Sequence, residues 1–150
     1  VAGGGVYFGP GNRSNERGAV QGCQAPKRAE IAALVSALES KEGPLNIITD
    51  CKGVLHEHGQ LNNYWRRAWM AKPLLARSMP NADLWRRAFR ARQRRERYSM
   101  PSTVSWVARQ STPGSCGAHS LATDAITAAA GRGAAAAAAA VGDGFLRPMR

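Results

Sequence analysis

Acidic residues are scarce in this chain of 150 residues. It has ten Asp and Glu against twenty-one Lys and Arg, which gives a formal net charge of +11 at neutral pH. So strong a positive charge on one small domain argues against a basic partner and favours a polyanion, most plausibly nucleic acid. A basic subunit whose charge is neutralised by its neighbours in a larger assembly is the alternative.

Cysteines and long apolar runs are also few. The three cysteines are widely separated and odd in number, a pattern that indicates neither a disulfide framework nor a zinc knuckle. We therefore expect reduced thiols and an intracellular protein, with the nucleus, the cytoplasm and the mitochondrion all open. No apolar run approaches the ~18 residues of a membrane span. No secretory signal is expected either.

The order of local patterns predicts an α/β domain over residues 1–130. Strand-forming residues occur at 1–8, 19–23, 45–49 and 103–107. The glycines of the first segment permit either a close approach of other backbone or a bulge. An apolar stripe at i, i+3, i+4 and i+7 predicts a helix after Pro26, formed by Ile31, Leu34, Val35 and Leu38. Further helices are predicted at 51–58, 62–70, 81–98 and 118–130.

The connections between these elements predict how the strands pair and where the domain ends. Both later strands follow helices, so we expect them to lie parallel through crossover connections. From Gly131 the composition changes to mostly Gly and Ala. Residues 131–150 are therefore interpreted as a low-complexity tail outside the core.

Three of the few acidic residues lie where carboxylates often take part in chemistry. Glu30 opens the predicted amphipathic helix, Asp50 ends a short apolar strand, and Asp124 lies near the start of an alanine-rich helix. In open α/β sheets, ligands and catalytic groups collect at the carboxyl ends of strands. Each residue also has an ordinary explanation as a helix-dipole partner or a turn residue.

Six short motifs occur in a fixed order along residues 1–130. They are Gly5-Val6-Tyr7-Phe8-Gly9-Pro10, Gln24 with Arg28-Ala29-Glu30, Ile48-Thr49-Asp50, Asn81-Ala82-Asp83-Leu84-Trp85, Val104-Ser105-Trp106-Val107, and Asp124 with Ala128-Ala129-Ala130. In this order and spacing the chain resembles the type 1 ribonuclease H domain. The resemblance implies a ribonuclease H-like α/β fold, with a mixed central sheet of four to five strands and helices on both faces.

The activity implied by the resemblance is hydrolysis of the RNA strand of RNA–DNA hybrids. Two Mg²⁺ or Mn²⁺ ions about 4 Å apart would stabilise the attacking and leaving oxygens. By resemblance, Glu30, Asp50 and Asp124 would be the catalytic metal ligands. The family's loop histidine falls on Gln110 here, and His119 is the residue that could replace it.

The resemblance also implies a nucleic-acid-binding set at the helix start and in an aromatic, basic segment. Its members would be Gln24, Lys27, Arg28, Trp65, Arg66, Arg67, Trp69 and Lys72. The tryptophans fit a core equally well. A second basic run, residues 86–97, fits either a solvated helix face or contacts with phosphates.

Departures from the family pattern support a non-enzymatic alternative. The family's first catalytic aspartate lies on a strand before the glycine segment, so here it is expected upstream of Val1 or is missing. Ala25-Pro26-Lys27 replaces a Thr-Asn-Asn segment that contacts the hybrid in the family. The alternative is a catalytically inactive ribonuclease H-fold subunit, a structural or RNA-binding component of a large ribonucleoprotein such as a mitochondrial ribosome.

Overall fold

A computed structural model describes residues 2–40, 42–72 and 77–142 of the chain. These residues form a mixed α/β structure. Its elements in chain order are β1 (Gly3–Val6), β2 (Glu16–Ala19), α1 (Pro26–Ser40), β3 (Leu45–Thr49), α2 (Lys52–Gly59), a π-helical turn (Leu61–Trp65), α3 (Arg66–Ala71), α4 (Ala82–Arg97), β4 (Ser102–Trp106) and α5 (Pro113–Gly142).

The strands of the described segments form two separate two-stranded sheets. β1 pairs with β2 in antiparallel fashion, with Gly3 opposite Ala19. β3 pairs with β4 in parallel, with Leu45 opposite Ser102, which confirms the parallel pairing predicted for the later strands. The predicted single sheet of four to five strands is not observed. A cleft separates β1 from β3, so neither sheet reaches the edge of the other.

One edge of β1 faces this cleft with its backbone groups. Val20 N–H donates to Ala2 O at 2.8 Å, which identifies that pair as hydrogen-bonded across the β1–β2 ladder. Hydrogen-bonded and non-hydrogen-bonded pairs alternate in antiparallel sheets. The N–H and C=O groups of Gly3 and Gly5 therefore point away from β2, towards the cleft.

One edge of β3 is open in the same way. Leu45 N–H donates to Pro101 O at 2.9 Å, and Thr49 O accepts from the N–H of Val107, which directly follows β4, at 3.0 Å. Leu45 and Thr49 therefore face β4. Because alternate residues of a strand direct their backbone groups to opposite edges, those of Asn46 and Ile48 point the other way. Both sheets thus present an open edge to one cleft.

The glycines of β1 allow helices to pack closely on both of its faces. A Cβ atom at Gly5 would lie 2.5 Å from Ala118 O of α5, and one at Gly4 would lie 2.9 Å from Ala29 O of α1. Real Cβ atoms do not approach backbone oxygen so closely, so any side chain at these positions would displace a helix. Close backbone approach, one of the two reasons predicted for these glycines, is confirmed.

The core lies mainly between α1 and α4. The predicted apolar stripe of α1 is buried, as is Trp85 of α4, which is 0% exposed. Rings of Trp65 and Trp85 lie 6.0 Å apart between centroids. The principal buried residues are Ile31, Leu34, Val35, Leu38, Val54, Leu61, Trp65, Leu84, Trp85 and Ala88. No helix in the described ranges has both the length and the apolar character needed to span a membrane.

Two predicted boundaries are wrong. The second strand covers Glu16–Ala19 rather than residues 19–23, because Gly22 turns the chain with a φ of +81°. The last helix begins at Pro113 rather than at residue 118. Thr112 and Ser115 form a reciprocal cap, each accepting the other's backbone N–H through its side-chain oxygen at 3.1 Å.

No helix ends at residue 131, where the low-complexity tail was predicted to begin. α5 continues through Gly142, so the beginning of the predicted tail is helical. Residues 143–150 of that tail lie outside the described residues.

His58 gives the fold a pH dependence. Its side chain is buried on α2, and burial, with the positive charge of Arg92, lowers its pKa to about 4. The unfolded chain therefore binds a proton that the folded chain rejects, and the free energy of unfolding falls as the pH decreases from about 6.5 to about 4. We expect this decrease to be smaller by about 2–3 kcal/mol in the His58→Leu variant than in the wild type.

Chemical denaturation at about pH 7 and about pH 4.5 measures the effect. His56→Leu is the matched control, because His56 is exposed on the same helix. The His56→Leu variant should show the same decrease in the free energy of unfolding as the wild type. An equal decrease in wild type and His58→Leu would contradict the assignment.

Candidate functional site

The cleft between the two sheets has a volume of about 240 Å³. Its walls are β1, β3 and the facing sides of α1 and α5, which contribute small or apolar residues for most of its length. The acidic and basic residues that line it are Glu30, Asp50, Arg109 and His119. Glu30 interacts electrostatically with the other three, so these four charges form one group.

Asp50 is positioned by the parallel pairing of β3 and β4. It follows directly after β3, and its side chain is 17% exposed. Arg109, which follows β4 at the same edge, donates from Nε to Asp50 Oδ2 at 3.1 Å. Trp106 Nε1 donates to the Asp50 backbone O at 3.0 Å. Since parallel strands end at one edge of a sheet, residues that follow each strand meet there.

Glu30 is half-buried on the second turn of α1. Burial raises the pKa of its carboxyl group, the negative charge of Asp50 raises it further, and Arg109 and His119 partly oppose the increase. Within the described residues no basic side chain forms an ion pair with Glu30. Arg109 and His119 do not cancel the effects of burial and of Asp50, so a cation bound beside the two carboxylates would stabilise the charged form of Glu30.

The oxygen ligands of this pair fit a hard divalent cation. Mg²⁺ in proteins is typically held by one or two carboxylates, and waters or substrate phosphates complete its coordination. Glu30 and Asp50 could hold one such ion. No group of three or more His, Cys, Asp or Glu that could hold a metal is found in the described segments. The expected second ion would need another ligand.

Asp124 lies outside this group. It is on α5 but does not line the cleft, and its exposed carboxylate accepts from Arg17 Nη1 of β2 at 3.2 Å. Because α5 begins at Pro113, Asp124 is in the helix interior rather than in its first turn. Five residues separate it from His119, which corresponds to about 140° around a helix. The predicted convergence of three acids is therefore observed for Glu30 and Asp50 and not for Asp124.

His119 lines the cleft, as expected of a residue that could act beside the carboxylates. Arg109 was missed by the sequence reasoning, although a signal was present. It lies three residues after the last strand, at the edge where Asp50 also ends, and it is a basic residue next to a predicted acidic site.

The helix-start part of the predicted nucleic-acid-binding set is engaged within the fold. The Gln24 side chain accepts from Ala2 N–H and donates to Val20 O, both at 2.8 Å, and so extends the β1–β2 ladder. Arg28 donates to both oxygens of Asp83, at 2.9 and 2.6 Å. Lys27 forms an ion pair with Glu57. These side chains stabilise the structure around the start of α1.

The aromatic part of that set divides into core and surface. Trp65 is 5% exposed and belongs to the core, so its ring is not available for stacking on a base. Trp69 packs against that core, with its ring centroid 5.2 Å from that of Phe89. The three basic residues of the segment are exposed: Arg66, Arg67 and Lys72.

No protein-family model matches the chain, and no curated protein matches it.

Replacing Glu30 tests two effects of its carboxylate: destabilisation of the fold by its buried charge, and binding of a divalent cation. In the absence of divalent ions the raised pKa means that this group stabilises the fold at low pH, and that the stabilisation is lost as the pH rises through the pKa of the folded state. We expect Glu30→Gln to raise the Tm at neutral pH in EDTA. Millimolar Mn²⁺ should raise the Tm of the wild type and leave that of Glu30→Gln unchanged.

Asp124→Asn is the control for this measurement. Its carboxylate lies outside the cleft, so the increase in Tm with Mn²⁺ should persist. Equal stabilisation of wild type and Glu30→Gln by Mn²⁺ would show that the carboxylate pair is not the binding site.

Proposed function

We propose that this chain is a metal-dependent endonuclease that hydrolyses the RNA strand of RNA–DNA hybrids. The observation that supports it most directly is the pair of acids, Glu30 and Asp50, which line one cleft and interact electrostatically, while Glu30 forms no ion pair with a described residue. The net charge of +11 would attract a polyanionic substrate to this cleft.

The side chains around the pair have distinct roles in this proposal. Glu30 and Asp50 would hold divalent metal, which when bound supplies Lewis-acid stabilisation of the phosphodiester oxygens. Arg109 fixes the orientation of Asp50 through its Nε–H and places positive charge beside the cleft. His119 would transfer protons, the usual role of an imidazole in catalysis.

We also propose that the two sheets are halves of one ribonuclease H-like sheet. β1 and β3 run in opposite directions along α1. Ala2, just before β1, contacts Gln24, which precedes α1. At the other end of β1, Val6 pairs with Glu16 of β2, whose carboxylate accepts from Ser36 near the end of α1. β3 begins close to the end of α1, because Arg95 donates both to Leu38 O of α1 and to Gly43 O just before β3. It ends at Asp50, beside Glu30 near the start of α1.

A single strand inserted between β1 and β3 would pair with both open edges. The cleft walls above and below it are alanines of α1 and α5, which leave room for side chains of an added strand: Ala33, Ala37, Ala118 and Ala122. Ile48, which lines the cleft and is 52% exposed, would be covered. The result is a mixed sheet of five strands, and its new central strand would end or begin beside Glu30 and Asp50, where a further metal ligand is needed.

Amide hydrogen exchange tests the open edges. Ile47 N–H is bonded within the β3–β4 ladder, whereas Ile48 N–H points into the cleft, so Ile48 should exchange faster than Ile47. The same alternation should distinguish Gly4 from Gly5 in β1. Uniform protection along both strands would contradict an open cleft. A strand that fills the cleft should protect Ile48 and Gly5 together.

A cleavage assay tests the activity. We expect Mg²⁺- or Mn²⁺-dependent cutting of a labelled RNA–DNA hybrid, with no cutting of duplex DNA. Asp50→Asn and Glu30→Gln should each reduce the rate by about 100-fold or more, because each removes a carboxylate that stabilises the transition state through the ion. Asp124→Asn should retain most of the rate. Cleavage that survives Asp50→Asn would exclude this cleft as the active site.

A second candidate function is supported by the ion pairs of two of the three predicted acids. Arg109 binds Asp50 and Arg17 binds Asp124, so the protein itself supplies positive charge to both. That arrangement fits an inactive ribonuclease H-fold subunit that binds structural RNA. Calorimetry distinguishes the two functions, because the inactive subunit should bind RNA and show no site-specific uptake of Mn²⁺.

A further inference from the structure

We propose that a row of arginines on α4 binds the phosphate backbone of a nucleic acid at a place separate from the cleft. The arginine row consists of Arg87, Arg90, Arg94 and Arg97, all exposed. Their spacing of three, four and three residues places them along one face of the helix. The row extends about 15 Å along the helix axis.

Three acidic residues on α4 and α1 beside this row are already paired. Asp83 and Glu96 are the two acids of α4, and they bind Arg28 and Arg92 respectively. Glu39 of α1 binds Arg87 at 2.7 Å. Among the residues that the structure describes, Arg90, Arg94 and Arg97 have no acidic partner.

Repulsion within the row indicates that it has a use. Like charges at this spacing destabilise a helix. The dipole at the end of α4 favours positive charge in its last turn, which accounts for Arg94 and Arg97. Glu39 accounts for Arg87, whereas Arg90 has neither explanation. A polyanion would remove the repulsion and release its own condensed counterions. Arginine is also suited to phosphate because its planar guanidinium donates two parallel hydrogen bonds.

α4 is held in place by its packing, so it can present the arginine row in a fixed orientation. Its opposite side is buried against α1, where Trp85 is fully covered. Arg95, next to the row in sequence but buried, donates to Leu38 O at 3.3 Å and also binds Gly43 O. A nucleic acid would therefore meet side chains that project from a fixed helix, with little backbone to order on binding.

The row lies away from the carboxylate pair. α1 and α4 run in the same direction. Arg28 near the start of α1 contacts Asp83 near the start of α4. Arg95 near the end of α4 contacts Leu38 near the end of α1. Glu30 is at the beginning of α1, whereas most of the row lies towards the end of α4. The proposal therefore concerns a second surface and does not depend on nuclease activity.

A nucleic acid fits this surface better than an anionic membrane. Helices that lie on membranes present large apolar side chains beside their basic residues. None of the large hydrophobic residues exposed within the described parts of the chain lies on α4. Tyr98, which follows the helix directly and is 63% exposed, is placed to stack on a base next to the bound phosphates.

The test is binding of fluorescently labelled duplexes (RNA–DNA hybrid, double-stranded RNA and double-stranded DNA) between about 50 and 200 mM salt. EDTA is present throughout, so that cleavage and the metal site do not contribute. The variant Arg90→Gln/Arg94→Gln/Arg97→Gln should lose about tenfold or more in affinity. The slope of log affinity against log salt should decrease in magnitude by about 2–3, close to one unit for each lost phosphate contact.

The matched control is Arg13→Gln/Arg77→Gln/Arg132→Gln, which removes the same charge from exposed, scattered positions. It should change the slope by less than about one unit. Equal losses in the two triple variants would overturn the proposal, because net charge alone would then explain binding. A row variant that loses binding to anionic vesicles and keeps its binding to all three duplexes would overturn it as well. Thermal melts should show no loss of stability in either triple variant, since the substituted side chains are exposed, and the row variant should gain slightly because repulsion within the row is removed.

Discussion

The burial of α1 is the constraint on which the rest of this structure depends. Ile31, Val35 and Leu38 turn one side of the helix into the core against α4, and each is at most 2% exposed. That packing fixes the rotation of the helix, and the rotation decides where its other residues point. Ala33 and Ala37 then line the cleft, and Glu30 enters it at the end where β3 stops. The position of the acidic residue is thus a consequence of apolar burial on the other side of the helix.

The same helix holds two sheets that do not meet. α1 packs against β1 through the approach of Ala29 to Gly4, and it carries β3 through contacts near Leu38 and Glu30. Each sheet consequently keeps an open edge, with backbone donors and acceptors directed at the cleft. Open edges are normally paired, covered or charged in stable proteins. An added strand would satisfy both edges and would stand beside Glu30 and Asp50, the two carboxylates that line the cleft.

Patterns that depend on neighbouring residues could be predicted from the sequence. The apolar stripe of α1, the strand before Asp50 and the close approach at the glycines follow from local periodicity or from one residue type. The start of α5 was not predicted, because Thr112-Pro113-Gly114-Ser115 has the composition of a loop and its cap uses serine where glutamate is usual. Asp124 was misplaced for that reason. The separation of the sheets was not predictable, since strand pairing depends on distant segments.

The scarcity of acids gives Glu30 its significance. Most of the other acids in the described residues are neutralised by the chain's abundant basic residues, as shown by the ion pairs of Glu39, Asp50, Glu57, Asp83, Glu96 and Asp124. Glu30 has no such partner and is half-buried as well, so its charge is opposed by burial and by Asp50. With twenty-one Lys and Arg in the sequence, an arginine at a neighbouring position would remove this cost easily. The half-buried carboxylate of Glu30 therefore carries an electrostatic penalty that a bound cation would relieve.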